Sequence, residues 1–570
     1  MTTVARDKQR RPSAAEFLAG VARRLRLPYW RRRQAADAAP VIMKPYMPDP
    51  DTRKARGGRR AVLFWMIGFC VFYGMCWAFF TPYLVLLLLA PVAILTALMI
   101  WALPDARTAP TGVLVKLFFA YFACLILWPN YLALALPGLP WITMARLTGF
   151  PLALALLICV SMSKDFRNQV WASMNATPIL WRCLVAFILL QTMSLAVSRS
   201  PFYSLDRYAI WQTGFTAVFF ASCYIFATPG RVIAMARLLW VMAICVGVIA
   251  VVEKRLEHVP WAGHIPSFLQ VQGERIQLIL AGQRRSGDGI YRAQATFSTS
   301  LGLAEYLAYC MPFVTHFAVT AEKSATRWAA RLCVPFLLFV VLITGSRLGM
   351  IGCLTTFLIY TLIWSVQRWR SHRESLMGPA ITLGYPALAL LVVGATAFIG
   401  RLRTVVWGNG AMTSSNLGRH IQWAMGIPKI KSHPWGYGVG MGGETLGYRD
   451  LSGLLTIDSY YLVIVLEYGV VGFLLYYAIF VIGGLYAYRS LSTVGMQAKE
   501  LSFLTPMTIT LANFVVIKSV FAQDDNHPLI AMILGMIAAT CWRVQQRKAA
   551  APAMANAAAR KRAGWLEAQA

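Results

Sequence analysis

The sequence predicts an all-α fold, a polytopic integral membrane bundle of about fourteen helical spans. Composition is the first reason: 58% of the 570 residues are hydrophobic and only 14% are charged. Mean hydropathy is +0.56, well off the average for a soluble domain. The second reason is that apolar stretches of about 18 residues or more recur along most of the chain, and that length crosses roughly 30 Å of hydrocarbon.

The elements follow in order. Residues 1–60 read as a basic tail without fixed structure, carrying Arg23, Arg24, Arg31, Arg32, Arg33, Lys54, Arg56, Arg59 and Arg60. An amphipathic segment could form near Phe17 to Trp30. No cleavable signal is expected, because these sixty polar residues precede the first apolar segment. Spans are expected near 61–80, 82–103, 113–136, 147–163, 179–197, 208–227 and 232–252, which make an N-terminal bundle over 61–252. A central group over 301–400 holds spans near 301–320, 328–345, 348–366 and 379–400. The last group, 458–543, holds spans near 458–484, 501–520 and 527–543, and a second basic tail covers 544–570.

Lys and Arg beside spans stay on the cytoplasmic side, so both tails are expected inside and the span count is expected to be even. The net charge of +31 does not argue for nucleic acid, since no aromatic-interleaved basic fold accompanies it. Affinity for anionic membrane lipids is the simpler consequence. All eleven cysteines fall in expected spans, where they act as small apolar residues, and no disulfide framework is expected. There is no CxxC and no His pair at metal-site spacing, so neither a metal nor another cofactor is expected.

With the tails inside, the two longest connections, 253–300 and 401–457, both fall outside. Both are basic: the first carries Lys254, Arg255, Arg275, Arg284, Arg285 and Arg292, the second Arg401, Arg403, Arg419, Lys429, Lys431 and Arg449. Outer basic loops run against the orientation bias, which points to an anionic ligand. Arg347 is the best-placed guanidinium, within a turn of hydrocarbon in the run Gly345-Ser-Arg-Leu-Gly349. Its rigid fork of donors suits phosphate oxygens; the plainer alternative is a snorkelling anchor. Arg419 opens an expected helix, Ile421 to Ile430, and could equally be a solvated loop charge. Asp458 heads the next span and reads either as a general base or as a helix cap. The glycines 436, 438, 440, 442 and 443 do not make a nucleotide loop, because no GK[ST] follows and no strand precedes them. A tight turn whose amides could face an anion fits them better. Glu467 lies nine positions beyond Asp458 on another helical face, which argues against a paired-carboxylate glycosidase.

These motifs in this order resemble the O-antigen ligase and Wzy polymerase superfamily: Gly345-Ser-Arg347-Leu-Gly349, then Arg419 and Trp423 before Pro434 and Gly436-Tyr-Gly-Val-Gly440, then Ser459-Tyr-Tyr-Leu462 running into Glu467-Tyr-Gly469-Val-Val-Gly472. Arg292-Ala-Gln-Ala-Thr-Phe297 and Leu303-Ala-Glu-Tyr-Leu307 add to it, so the resemblance covers roughly 290–485. It implies a glycosyltransferase of the bacterial inner membrane whose site faces the periplasm and whose donor is an undecaprenyl-diphosphate-linked glycan. By position, Arg347 and Arg419 would contact the diphosphate, Arg292 would add a contact, and His433 and Tyr460 would line the substrate site. Where such ligases carry a histidine, this chain has Asp458-Ser459-Tyr460, so Asp458 becomes the candidate base, with His433 and His420 as fallbacks. Loss of that histidine and the long basic N-terminal tail lean toward an exopolysaccharide polymerase over a ligase that uses lipid A-core. Other export and assembly proteins could be partners. Outside this class, a transporter or a non-catalytic assembly subunit stays open, although no matching broken-helix repeat or intramembrane relay emerges.

Overall fold

The computed structural model describes residues 109–135, 141–271, 273–284, 289–371, 374–400, 413–450, 453–494 and 499–567, with isolated positions elsewhere. Two units are distinguished, 1–68 and 69–570, and everything below concerns the second. The expected basic tail 1–60 and the spans expected at 61–80 and 82–103 lie outside the described residues.

Every expected span from 113–136 onward coincides with a helix. In order these are α1 (Thr111–Leu127), α2 (Met144–Met162), α4 (Pro178–Ser194), α5 (Pro201–Trp211) continued by α6 (Ala217–Ile225), α7 (Arg231–Leu256), α9 (Ser300–Thr320), α10 (Ser324–Ile343), α11 (Arg347–Ser371), α12 (Met377–Phe398), α15 (Tyr460–Val494), α16 (Leu504–Lys518) and α17 (His527–Glu567). Between them stand α3 (Lys164–Asn175), α8 (Glu274–Ala281), α13 (Thr413–Ser432) and the short α14 (Gly442–Leu446). The sheet content among the described residues is two small hairpins, β1 (Ala133–Leu134) with β2 (Ile142–Thr143) and β3 (Gln283–Arg284) with β4 (Tyr291–Arg292). Among the described residues, nine helices are long and apolar enough to cross a membrane. The protein is an all-α membrane protein.

Three differences from the expected elements have local causes. A π-helical turn, Gln212–Thr216, separates α5 from α6, so the expected span 208–227 is one continuous but irregular rod. The last helix runs through Glu567, well into the expected tail 544–570, where an alanine-rich stretch supplies strong helix formers. Arg419 lies inside a helix that begins at Thr413, rather than opening one at Ile421.

Helix α9 is the centre of the bundle, with nearly all its residues buried. Gly349 and Gly352 of α11 face Ala304 and Ala308 of α9, where an added Cβ would approach to 2.8 and 2.9 Å. Small residues on both helices thus allow the close backbone contact that stands in for a hydrophobic drive within lipid. One continuous apolar core joins α1–α7, α9–α11 and α15–α17, while α13 and α14 pack with α15 in a separate small cluster around Leu446, Leu462 and Leu466.

Long-range hydrogen bonds define the two ends of the bundle. At one end Ala293 N–H donates to the Ile343 carbonyl (3.3 Å), and the Ser298 hydroxyl donates to Asp525 (2.8 Å). There too the Ser459 hydroxyl reaches the Ser519 carbonyl (2.7 Å). At the other end Glu500 accepts from the Gly230 and Val232 amides, at 2.8 and 2.9 Å, and from Arg543 at 2.8 Å. The segments around Arg292, Arg347 and Asp458 therefore share one end, as the span order requires.

Candidate active site

Arg347 follows a turn that the sequence builds from small residues. Helix α10 stops at Ile343, Gly345 takes a positive φ of 63°, and the Ser346 hydroxyl accepts the Gly349 amide at 3.2 Å. The chain then re-enters the membrane as α11, with Arg347 half-buried in its first turn. Arg292 lies against the same turn: its Nε donates to the Thr344 carbonyl at 2.9 Å. The Arg292 segment is itself fixed by the buried carboxylate of Glu253, which accepts from the Tyr291 hydroxyl (2.7 Å) and from the Gln294 and Ala295 amides (3.2 and 2.6 Å). Two guanidinium-bearing residues are thereby carried on one supported turn.

The second group forms where α13 crosses the start of α15. Arg419 Nε stands 3.9 Å from Asp458 Oδ2, with 29% and 35% of the two side chains exposed. At this separation the pair attracts without a tight hydrogen bond between the two groups, and both side chains are partly exposed. The Asp458 amide donates to Gln422 Oε1 at 2.9 Å. Gln422 is only 1% exposed and lies one turn beyond Arg419, on the same face of α13. The first helical hydrogen bond of α15 runs from the Val463 amide to the Ser459 carbonyl (3.2 Å), so Ser459 holds the cap position and Asp458 precedes it. The side chain of Asp458 is turned toward Arg419. Partial burial raises the Asp458 pKa above the usual carboxylate range; Arg419 and Gln422 pull it down and Asp450 pushes it up. Burial likewise lowers the Arg419 pKa, against the opposing effect of Asp458.

The glycine-rich segment packs against a break in α15. Gly469 has φ 71° and ψ −174°, which interrupts the helix after Tyr468. Into that break fits the backbone of Pro434 to Gly438. The Val470 amide donates to the Pro434 carbonyl (3.0 Å), Tyr437 N–H to the Leu466 carbonyl (2.8 Å) and Gly438 N–H to the Glu467 carbonyl (3.0 Å). At Gly436 an added Cβ would stand 2.5 Å from the Glu467 carbonyl oxygen, so only glycine permits this approach. The Gly442 amide points at Glu467 Oε1 (3.4 Å). An amide of the glycine turn thus faces an acidic side chain of the chain itself, the carboxyl group of Glu467.

Tyr460 is 6% exposed and lies below Asp458 in an aromatic cluster, its ring centroid 4.7 Å from that of His527 and 5.8 Å from that of Tyr476. His433 is exposed at the end of α13, where Nδ1 pairs with the Ser432 and Tyr437 hydroxyls at 3.1 and 2.9 Å. His420 is exposed on α13. The structure thus brings together Arg292 with the Arg347 turn, and Arg419 with Asp458, while Tyr460 supports the second group from within. Sequence reasoning missed Gln422, although its spacing from Arg419 placed it on the same helical face. It also missed Arg207, which lines the glycine segment: an added Cβ at Gly440 would stand 3.0 Å from Arg207 Cγ.

Residues 332–477 match the family model described as O-antigen ligase, a stretch that contains Arg347, Arg419, His433, Asp458 and Tyr460. This match supports membership of the O-antigen ligase and Wzy polymerase superfamily. No curated protein matches the chain. Members of this superfamily are glycosyltransferase-like enzymes, and the matched stretch runs from α10 to the middle of α15.

Proposed function

We propose that this protein is a polysaccharide polymerase of the exopolysaccharide type. It transfers glycan from an undecaprenyl-diphosphate carrier to an acceptor hydroxyl at the periplasmic face of the bacterial inner membrane, with both termini cytoplasmic. The observation that carries the reading is the Arg419–Asp458 pair at 3.9 Å, set at the head of a membrane helix within the matched domain.

In the proposed step the acceptor oxygen attacks the anomeric carbon and the bond from that carbon to the diphosphate oxygen breaks. The diphosphate leaves with the electron pair, the acceptor proton passes to Asp458, and single displacement inverts the anomeric centre. A diphosphate leaving group is already a weak base and needs no acid, but its developing charge must be neutralised. Arg347 and Arg419 would supply that without reorganisation, with Arg292 as a further contact. The upward shift of the Asp458 pKa makes it a stronger base than an ordinary carboxylate. Tyr460 takes a positioning role under Asp458, and His433 would meet the substrate from the exposed end of α13.

A ligase reading rests on the description of the matching family. Asp458 in the position where ligases carry histidine favours polymerase. Substitution Arg347→Ala or Arg419→Ala should abolish long polymer in cells at unchanged protein level. Polymer of normal length from either variant would overturn the assignment.

A further inference from the structure

The end of the bundle opposite Arg419 and Asp458 carries a cleft of about 880 Å³. It opens between the start of α7, the end of α9, the start of α10, the end of α11 and the 3₁₀ turn Leu501–Phe503. Four cations line it, Arg237, Lys323, Arg368 and Lys499, against the single carboxylate of Glu322. That carboxylate is taken by Lys499 at 3.3 Å, with both side chains largely exposed, so the remaining charges that line the cleft among the described residues are positive.

Deeper in, the lining changes character. Arg368 lies over the Trp364 ring at 5.4 Å, and Phe317 and Phe503 supply apolar wall. Arg368 Nε and both amide atoms of Gln367 are shielded from solvent and have no hydrogen-bond partner among the described residues. Cations near a membrane surface are expected from topology alone. Topology does not ask for a walled cleft between five elements, nor for a shielded amide left without donor or acceptor, which is costly unless something fills it.

We propose that this cleft binds the headgroup of an anionic phospholipid, seating its phosphate on Arg368 and Arg237. Basic pockets between membrane helices on the cytoplasmic side are suited to anionic headgroups. The phosphate oxygens accept from the guanidinium groups of Arg368 and Arg237, and the Gln367 side chain, which lines the cleft, turns from its shielded position to pair with the headgroup. An acyl chain follows the apolar wall of Phe317, Trp364 and Phe503. This chemistry selects a hydroxylated anionic headgroup such as phosphatidylglycerol over a zwitterionic one. The site is remote from the proposed transfer reaction and stands or falls independently of it.

The test is lipid binding to the full chain in detergent, read by native mass spectrometry. Phosphatidylglycerol, phosphatidylcholine and inorganic phosphate are titrated separately. Each cation facing an anionic headgroup contributes about fivefold in affinity, so the double variant Arg237→Gln/Arg368→Gln should bind phosphatidylglycerol roughly thirtyfold more weakly. Arg489→Gln, at the same end but outside the cleft, should bind as the unaltered chain does. Gln367→Leu, which leaves all charges in place, should reduce the preference for phosphatidylglycerol over phosphatidylcholine. Equal binding of the two lipids by the unaltered chain would overturn the proposal whatever the variants do. So would undiminished phosphatidylglycerol binding by a folded double variant. Inorganic phosphate binding as tightly as the lipid would overturn the lipid assignment.

Discussion

The most telling structural prediction concerns the buried ion pair under the candidate site. Lys518 Nζ lies 2.8 Å from Glu305 Oε1, with 0% and 1% of the side chains exposed. Glu305 also accepts from the Tyr309 hydroxyl (2.6 Å) and Asn526 Nδ2 (2.9 Å), while Lys518 donates to the Gln523 carbonyl. The ammonium stands over the Tyr460 ring at 5.4 Å, so the pair ties α9 and α16 to the start of α15 just below Asp458. Substitution Lys518→Met keeps the length of the side chain but leaves the carboxylate uncompensated. Breaking a buried pair from one side costs about 3–5 kcal/mol. The two remaining hydrogen bonds to Glu305 place the loss near the lower end, about 3 kcal/mol. Adding Glu305→Gln removes the stranded charge and keeps a polar partner for Tyr309 and Asn526. The double variant should then lose only about 1 kcal/mol, a coupling of roughly 2 kcal/mol or more. Chemical unfolding of the four proteins in mixed micelles closes the cycle. Additive losses, with coupling below about 0.5 kcal/mol, would refute the argument.

Three further outcomes follow from the same geometry. Gly469→Ala forces a side chain into a backbone conformation essentially reserved for glycine and against the Pro434 carbonyl; it should cost about 3 kcal/mol or more and expose Lys429 and Lys431 to trypsin, so an unchanged digestion pattern would contradict the docking described here. Asp458 must be ionised to act as base, and burial raises its pKa, so transfer should fall with decreasing pH at a midpoint above the ordinary value of about 4; a rate that stays flat down to pH of about 4 removes Asp458 from that role. Burial, with Asp524 beside it, pushes the Asp525 pKa up to about 6 even though Ser298 donates to it. The folded chain therefore holds that proton more tightly than the unfolded chain, and stability falls as pH rises from about 4 through about 6. Asp525→Asn should accordingly melt higher than the unaltered chain at neutral pH and equal it in acid; a lower melting point at neutral pH would reverse the sign.

The sequence made the helices legible because nearly every bundle helix is apolar for a membrane's width, and each expected span within the described residues is a helix. It was less informative wherever tertiary contact set the backbone. Nothing local marks Gly469 as a break, since a lone glycine in an apolar run usually stays helical; the break exists because Pro434 to Gly438 bond to residues 466–470. Helix α3 falls between two expected spans, and its Phe166, Val170 and Met174 recur on one face and are buried. Of the candidate site, Arg347 and Asp458 were visible as charges at span ends. Glu305 and Lys518 both lie within expected spans, and their mutual pairing is a long-range contact that no spacing rule encodes. Of the two readings of Asp458, the structure bears on the cap alone, because Ser459 takes the cap position.

The central claim is that the Arg347 turn and the Arg419–Asp458 pair transfer glycan from a lipid diphosphate. Reconstitution of the purified chain with an undecaprenyl-diphosphate-linked repeat unit, without nucleotide or metal, tests it most directly, with glycan length read on a gel. The account predicts a ladder that disappears with Arg347→Ala and with Asp458→Ala. Transfer only after lipid A-core is added would make the enzyme a ligase with the same chemistry. No product under either condition, or a ladder undiminished in both variants, would contradict it.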